Sequence, residues 1–245
     1  MRVGIAPVRA MLAVLVSGAR AQERIDVPTR PGVTQPVYIT ASPSAVASAI
    51  PFPGGNGVLA SVRNNFLLRV AGRFSAQGFD VAVVDAPSDQ SGGMTPQFRQ
   101  SSQHADDISA VIALLKRRAP LPVWLIGTSN GSISAANAAA RIGPPGVAGV
   151  VLTSSVWLGG MGGVALEQIR VPVLVVHNRD DGCRSSPFGD TAGAMARMVN
   201  ARVKELLAMS GGALRSGPCD ALSPHGYYGI EDQVVPAIIA WVKQH

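Results

Sequence analysis

The sequence predicts an α/β fold, a doubly wound and mostly parallel sheet with helices on both faces. Residues 80–85 (DVAVVD), 122–126 (PVWLI) and 171–176 (VPVLVV) are nearly continuous apolar runs, which are typical of strands buried on both faces. Helical patterns separate these runs at the spacing of βαβ crossovers, and such crossovers build a parallel sheet. Because ligands of these sheets bind at the carboxyl ends of the strands, the loops at those ends are the candidates for function.

Each further element rests on its own pattern. Residues 22–35 are polar and contain prolines, and we expect them to lie over the surface. A helix over residues 63–77 has an apolar face and ends before Gly78, a residue type common at helix ends. The other strands are expected at residues 36–40, 46–50 and 147–152, and the other helices at residues 102–118, 132–141, 190–207 and 230–243.

The composition indicates one globular domain over residues 22–245. The chain has 245 residues, 47% of them apolar and 15% charged, which suffices for one sizeable core. The formal net charge is +6, but Arg2, Arg9 and Arg20 precede this domain and the other basic residues are scattered. Nucleic acid is therefore not an expected partner, and no later apolar run approaches the length of a membrane helix.

The first 21 residues have the pattern of a signal peptide. Arg2 and Arg9 precede a short apolar stretch at residues 10–16 (AMLAVLV), and residues 19–21 (Ala-Arg-Ala) form a cleavage site. The alternative is a buried first helix or strand, but the stretch is too short to span a bilayer and ends in small residues. We therefore expect a secreted or periplasmic protein.

The chain contains two cysteines, Cys183 and Cys219. In an exported protein a pair of cysteines suggests one disulfide, and two free buried thiols are the alternative. No cluster of His, Cys and Asp has the spacing of zinc ligands, so no metal site is expected.

A candidate nucleophile lies in the pentapeptide Gly127-Thr128-Ser129-Asn130-Gly131. The pentapeptide directly follows a predicted buried strand and directly precedes a helix of small residues. A turn this tight strains its central residue and exposes the serine hydroxyl, while the flanking glycines allow strand and helix to pass closely. The helix N-terminus beneath Ser129 favours negative charge. The alternative is an ordinary serine that caps the helix.

Four histidines are candidates for the general base. His245 is the last residue, His104 precedes the serine, and His177 ends a strand, where we expect it to be half-buried. His225 lies next to a glycine just before the last helix, and we expect an exposed and mobile side chain there. Elimination and chain order therefore favour His225 as the base of Ser129.

The acid that orients the base is expected between the serine and the histidine in the chain. Asp180 and Asp181 directly follow the VPVLVV strand, and a carboxylate there could hold the tautomer of His225. A pair of turn-forming aspartates is the alternative interpretation, and Asp190 and Asp220 are weaker candidates for the acid.

An oxyanion hole requires backbone N–H donors. One is expected at Asn130, where the helix begins. The other is expected in the glycine-rich loop at residues 52–57 (FPGGNG), from Gly55 or Asn56, because glycines let a backbone N–H approach a substrate oxygen. An ordinary turn is the alternative for this loop, and a phosphate loop is excluded because G-K-[ST] is absent.

Taken together, these segments resemble the α/β-hydrolase superfamily, and the resemblance extends from about residue 36 to residue 243. The motifs are PGGNG at 53–57, GTSNG at 127–131, PVLVVHNRDD at 172–181 and HGY at 225–227. The resemblance implies that the acid is Asp181, four residues past His177, with Asp180 as the fallback. The oxyanion segment lacks the histidine of an H-G-G-G motif.

The resemblance also bears on the shape of the site. Residues 156–170, where many relatives insert a cap, form a short glycine-rich stretch, which implies an open cleft without a helical lid. Residues 87–94 and 157–164 are the expected pocket walls. If the triad forms, Cys183 and Cys219 are brought together, and a disulfide between them would contribute about 3–4 kcal/mol in the chain-entropy model.

The function that these residues predict is hydrolysis of small carboxylic esters through an acyl-enzyme, by a Ser129-His225-Asp181 triad and without a cofactor. A serine peptidase or amidase uses the same groups and is the first alternative. A non-catalytic binding protein on the same scaffold is the second, although such a protein would not require all three side chains.

Overall fold

The computed structural model of the protein describes residues 22–245, so the signal peptide expected over residues 1–21 lies outside the described residues. Residues 22–245 form one eight-stranded sheet and six α-helices. The strands are β1 (Glu23–Arg30), β2 (Val33–Thr40), β3 (Ala47–Phe52), β4 (Phe79–Val84), β5 (Val123–Thr128), β6 (Gly149–Thr153), β7 (Val173–Asn178) and β8 (Lys204–Met209). The helices are α1 (Phe66–Ala76), α2 (Pro96–Arg99), α3 (Ser102–Arg118), α4 (Asn130–Ile142), α5 (Thr191–Arg197) and α6 (Glu231–Gln244).

The sheet has the strand order β1-β2-β4-β3-β5-β6-β7-β8. Strands β3 to β8 run parallel, whereas β1 and β2 form an antiparallel hairpin that joins β4 at one edge. The predicted fold class, a mostly parallel doubly wound sheet, is therefore confirmed. This order places β3 beside β5, so the loop after β3 and the turn after β5 lie next to each other at the carboxyl edge.

Successive side chains of the central strands enter two separate cores. On β5, Leu125 belongs to the core that α3 and α4 cover, while Trp124 and Ile126 belong to the core beneath α1 and α6. All three side chains are at most 3% exposed. Because both faces of the sheet are covered, the central strands contain apolar residues at nearly every position.

The expectation for residues 22–35 was wrong, because they contain β1 and the start of β2. Strand β1 is an edge strand, and Val27 is its one buried residue. An edge strand keeps polar residues on its open face and tolerates a proline such as Pro28, where the register with β2 becomes irregular. For this reason the polar composition of residues 22–35 did not indicate a strand.

The helix expected over residues 190–207 is present only over its first part, and the expectation for the second part was wrong. Helix α5 ends at Arg197, and residues Lys204–Met209 form β8, which pairs in parallel with β7. The segment KELLAM favours a helix by propensity, but long-range pairing with an edge of the sheet overrides a propensity of this size. A smaller difference concerns α1, which begins at Phe66 because the Asn65 side chain accepts a hydrogen bond from the Leu67 N–H (3.1 Å).

Candidate active site

Ser129 occupies a strained turn between β5 and α4. Its backbone has φ 52° and ψ −128°, a left-handed conformation that residues other than glycine rarely adopt. The turn is held at both ends, because the Ser129 N–H donates to the carbonyl of Thr153 (3.0 Å) and its carbonyl accepts from the Ser132 hydroxyl (2.6 Å). The half-buried Ser129 side chain therefore stands above the N-terminus of α4.

Two glycines make this turn possible. A Cβ at Gly127 would lie 2.6 Å from the Cα of Ser132, and a Cβ at Gly131 would collide with the carbonyl of Phe52 and lie 2.8 Å from the carbonyl oxygen of Pro53. Strand, turn and helix therefore approach more closely than any side chain at these two positions would allow. This close approach is the one that the G-x-S-x-G pattern predicts.

His225 and Asp181 form a hydrogen-bonded pair. The Nδ1 atom of His225 lies 2.8 Å from Oδ2 of Asp181, and the carboxylate is fully buried. Because a carboxylate only accepts, Nδ1 carries the proton. The other ring nitrogen, Nε2, is enclosed and has no hydrogen-bond partner within residues 22–245, so it is free to accept a proton.

Ser129 and His225 line the same cleft, whose volume is about 340 Å³. The imidazole Nε2 is not hydrogen-bonded to the Ser129 hydroxyl in this structure. Hydrogen bonds of this kind are often long when no ligand is bound and tighten when a ligand enters the site.

His225 is not the exposed and mobile side chain that the sequence suggested, because it is only 3% exposed. Three side chains hold the backbone around it. The Ser154 hydroxyl donates to the carbonyl of His225 (2.7 Å), Asn178 donates to the carbonyl of Pro224 (3.1 Å), and Arg69 donates to the carbonyl of Gly226 (2.8 Å). These positioning residues were missed, because no local pattern indicates which distant side chains reach a given loop.

The turn after β7 separates the two aspartates that the sequence left as alternatives. Asp181 contacts His225 and also accepts from the N–H of Cys183 (2.9 Å), whereas Asp180 accepts from the N–H of Gly211 (2.6 Å). Cys183 and Cys219 form a disulfide, and Cys219 lines the cleft. Of the weaker candidates, Asp190 lies in a short turn before α5, and Asp220 is an exposed residue at the cleft.

His177 is fully buried rather than half-buried, and it is a second imidazole near Asp181. Its Nε2 lies 2.9 Å from the carbonyl of Ser186 and 3.6 Å from Oδ2 of Asp181. Since a carbonyl only accepts, Nε2 carries a proton. Burial lowers the pKa of His177, and the carbonyl of Ser186 and the Asp181 carboxylate oppose that effect only in part, so its neutral form is favoured beside the acid.

The two expected oxyanion donors lie on adjoining segments. Asn130 is the first residue of α4, where backbone N–H groups have no partner within the helix. Gly55 lines the cleft with Ser129, whereas Asn56 does not and uses its side-chain oxygen to accept from the N–H of Val58 (3.1 Å). Gly54 was not singled out from the sequence, yet a Cβ there would lie 2.8 Å from the Cβ of Ser129. The pair of adjacent glycines was the available signal for this approach.

The walls of the cleft differ from the expectation. They come from residues 60–66, from residues 219–221 and from Gly226, and neither residues 87–94 nor residues 157–164 contribute. Between residues 156 and 170 the structure has turns and one short 3₁₀ segment, Leu166–Gln168, so no helical lid covers the site. Within residues 22–245 no helix could cross a bilayer, and no three His, Cys, Asp or Glu side chains are grouped as metal ligands.

Part of the chain matches a known protein family. Residues 63–162 match the family described as serine aminopeptidase, S33, and this segment includes the Ser129 turn. No curated protein matches the chain.

Several solved structures have the same fold. An alpha-beta serine hydrolase homologue from Coxiella burnetii has 16% identity and a TM-score of 0.64, over 91% of this chain and 98% of its own. A serine hydrolase without lid from Xanthomonas campestris has 16% identity and a TM-score of 0.66, over 94% and 96%. A cold-adapted esterase from an Arctic intertidal metagenomic library has 14% identity and a TM-score of 0.62, over 91% and 92%. At these identities the likeness shows the fold alone: residues 22–245 have the α/β-hydrolase fold of these structures, and residues 63–162 also resemble the serine aminopeptidase family.

Proposed function

We propose that the protein hydrolyses carboxylic esters through an acyl-enzyme formed on Ser129. One observation carries the proposal: the strained serine shares a cleft with His225, and the Nδ1 atom of His225 is held at 2.8 Å by the buried carboxylate of Asp181. A serine hydroxyl is a weak nucleophile until a base removes its proton. This arrangement supplies a base of defined tautomer.

In the first step, the Ser129 Oγ attacks the ester carbonyl while Nε2 of His225 takes the hydroxyl proton. The negative charge of Asp181 stabilises the imidazolium that forms. The N–H groups of Asn130 and Gly55 donate to the oxyanion, and loss of one such donor would raise the barrier by about 3 kcal/mol. The C–O bond to the alcohol then breaks, and His225 protonates the leaving alcohol.

In the second step, water hydrolyses the acyl-enzyme. His225 takes a proton from water as the water oxygen attacks the acyl carbonyl, and the same N–H donors stabilise the second tetrahedral intermediate. The bond to Ser129 Oγ then breaks, and the proton returns from Nε2 to the serine. The carboxylic acid leaves through a cleft that no helix covers.

A serine peptidase or amidase is the second candidate, and the matched serine aminopeptidase family favours it. An aminopeptidase must bind the free ammonium group of its substrate, and a carboxylate in the cleft is the strongest partner for that charge. Among the residues that line the cleft, Asp220 is the one carboxylate, and it is exposed and accompanied by Arg63. This is not a built ammonium site, so esters are the better-supported substrates.

The experiment compares wild-type protein with Ser129→Ala on p-nitrophenyl esters of increasing chain length and on aminoacyl p-nitroanilides. We expect ester hydrolysis by the wild type, stoichiometric labelling by a fluorophosphonate, and a loss in kcat of about 10⁶-fold in the variant. Faster turnover of the anilides would favour the peptidase. Full ester activity in Ser129→Ala would disprove the proposed site, and absence of both turnover and labelling in the wild type would favour a binding protein.

We also propose that the protein is exported. The pattern of residues 1–21 and a disulfide that requires an oxidising compartment support export. The mature chain should then begin at Gln22, and N-terminal sequencing of the exported protein tests this expectation.

A further inference from the structure

Arg99 is a buried cation next to the proposed oxyanion loop. It ends α2, and only 1% of its surface is exposed. Within residues 22–245, no carboxylate forms an ion pair with its guanidinium. Burial lowers the pKa of Arg99 to about 10, so the side chain remains charged at neutral pH. A buried charge without a counter-ion destabilises a fold. We therefore expect a contact of Arg99 that compensates for this cost.

The guanidinium contacts the loop that contains the candidate donor. Its Nη2 atom lies 3.3 Å from the carbonyl oxygen of Gly55 and 3.5 Å from that of Pro53. These two carbonyls flank the Gly54–Gly55 peptide, whose N–H belongs to Gly55. On the other side, Nη1 donates to the Ser134 hydroxyl on α4 (2.8 Å). Arg99 thus connects the loop to the helix that begins directly after Ser129.

The loop is shaped around this side chain. At Gly57, where φ is +78°, a Cβ would lie 2.6 Å from Nη2 of Arg99 and would collide with Met94. The carbonyl of Gly55 also accepts from the side-chain amide of Asn130 (3.1 Å). The carbonyl oxygens of Pro53 and Gly55 are therefore turned toward α2 and α4, and a charge–dipole attraction to Arg99 holds them there.

We infer that Arg99 is a positioning residue: by holding the carbonyl on each side of the Gly54–Gly55 peptide, it limits the rotation of that peptide and so aims the Gly55 N–H at the oxyanion. This inference rests on the proposed function. The guanidinium acts through the loop and does not touch substrate, since it is buried and does not line the cleft. Its positive charge has no partner that would cancel it, so it also favours negative charge at the oxyanion position.

If the role of Arg99 is only structural, its substitution should have a different effect on activity. If Arg99 only packed α2 against α4, a methionine of similar length would fill the space and would also remove a desolvated charge. Stability and activity would then change together or not at all. A positioning role predicts a loss in kcat that does not follow stability, because a displacement of the donor affects the transition state more than bound substrate.

The experiment compares Arg99→Met and Arg99→Lys with the wild type. Arg30→Met is the matched control, because Arg30 lies over the ring of Phe98 but is ion-paired with Asp89 and Asp107. For each protein, kcat and KM on one ester, the affinity for an alkylboronic acid that mimics the tetrahedral intermediate, and the thermal midpoint are measured. We expect kcat to fall by about 10- to 100-fold in Arg99→Met, with KM within about threefold and boronate affinity reduced in parallel with kcat.

For Arg30→Met we expect a lower thermal midpoint and a kcat close to that of the wild type. If Arg99→Met does not fold, Arg99→Lys decides, and its kcat should also fall because an ammonium lacks the forked donors that reach both carbonyls. Wild-type kcat in a folded Arg99 variant, or equal losses in the Arg30 control, would overturn this inference alone. A wild-type protein that neither hydrolyses esters nor reacts with a fluorophosphonate would overturn the proposed function and this inference with it.

Discussion

Backbone strain in this protein is concentrated around the candidate site. Three residues other than glycine have positive φ within residues 22–245: Ser129 at 52°, Ser154 at 41° and Tyr227 at 54°. Ser154 directly follows β6 and donates through its hydroxyl to the carbonyl of His225 (2.7 Å). Residues in such conformations persist where the surrounding structure holds them, and they cluster at functional sites.

A buried series of hydrogen bonds holds Ser154 and Tyr227 in these conformations. The Tyr227 hydroxyl donates to the carbonyl of Val176 (2.7 Å) and accepts from the Ser154 N–H (3.0 Å). Burial raises the pKa of Tyr227, so its hydroxyl keeps the proton that it donates. These hydrogen bonds connect the ends of β6 and β7 to the turn that contains His225.

Substitution of the candidate acid tests its role at the level of one residue. In Asp181→Asn, the side-chain amide can donate to Nδ1 of His225, which favours the tautomer with the proton on Nε2 and removes the base. We expect kcat to fall by about 10³- to 10⁴-fold with little change in KM. Steady-state kinetics on a single ester measures both parameters.

Asp180→Asn is the matched control, because Asp180 lies in the same turn but contacts the N–H of Gly211 instead of His225. It should keep kcat within about threefold of the wild type, as expected for a residue outside a triad. Equal losses in the two variants would mean that the turn, and not the Asp181 carboxylate, is what catalysis requires.

At the scale of elements, the turn between β5 and α4 depends on close contact with β3. In Gly131→Ala, the new methyl group would collide with the carbonyl of Phe52 at the end of β3. The backbone at that contact belongs to a strand and cannot move aside as a flexible side chain would. We expect the free energy of unfolding to fall by about 3 kcal/mol or more, and urea unfolding followed by circular dichroism measures it.

Gly72→Ala is the matched control for that substitution. Gly72 is an exposed residue inside α1, and a Cβ there would meet no atom within 4 Å. Alanine inside a helix is favoured over glycine by roughly 0.5–1 kcal/mol, so this variant should be more stable than the wild type. A similar loss of stability in both variants would argue against the close approach of β3 and α4.

At the scale of the whole molecule, stability should depend on a buried histidine outside the site. His104 on α3 is 1% exposed, and neither ring nitrogen has a hydrogen-bond partner within residues 22–245. Burial, together with the charges of Arg99 and Arg30, lowers the pKa of His104 to about 3. In the unfolded chain an ordinary histidine titrates near pH ~6.5.

The sign of the pH dependence follows from these two values. Between about pH 6.5 and about pH 3 the unfolded state binds a proton that the folded state does not, so stability is lost as pH falls, by at most about 1.4 kcal/mol per pH unit for this residue. In His104→Phe that contribution disappears, and the free energy of unfolding should fall less steeply below pH 6.5. Urea titrations at a series of pH values compare the two proteins, and parallel curves would contradict the expectation.

Patterns short in sequence were enough to predict the fold class and part of the candidate site. The continuous apolar runs indicate a sheet covered on both faces, and the glycines around Ser129 indicate a tight strand-to-helix turn. Both patterns are formed by residues that are neighbours in the sequence. His225 was found by elimination and chain order. Those arguments concern residue types and spacing, so they did not need a folded chain.

Other features depended on contacts that only the folded chain forms. The local sequence of Asp180 and Asp181 does not distinguish them, and it is the packing of a loop 44 residues away that puts His225 against Asp181. In the same way, the edge strand β8 exists because β7 offers it a hydrogen-bonding partner, and Arg99 reaches the proposed oxyanion loop because α2 packs beside α4. Hydrogen bonds, burial and pairing between distant segments act only when the backbone brings those segments within a few ångströms, and for that reason the residue pattern alone could not specify them.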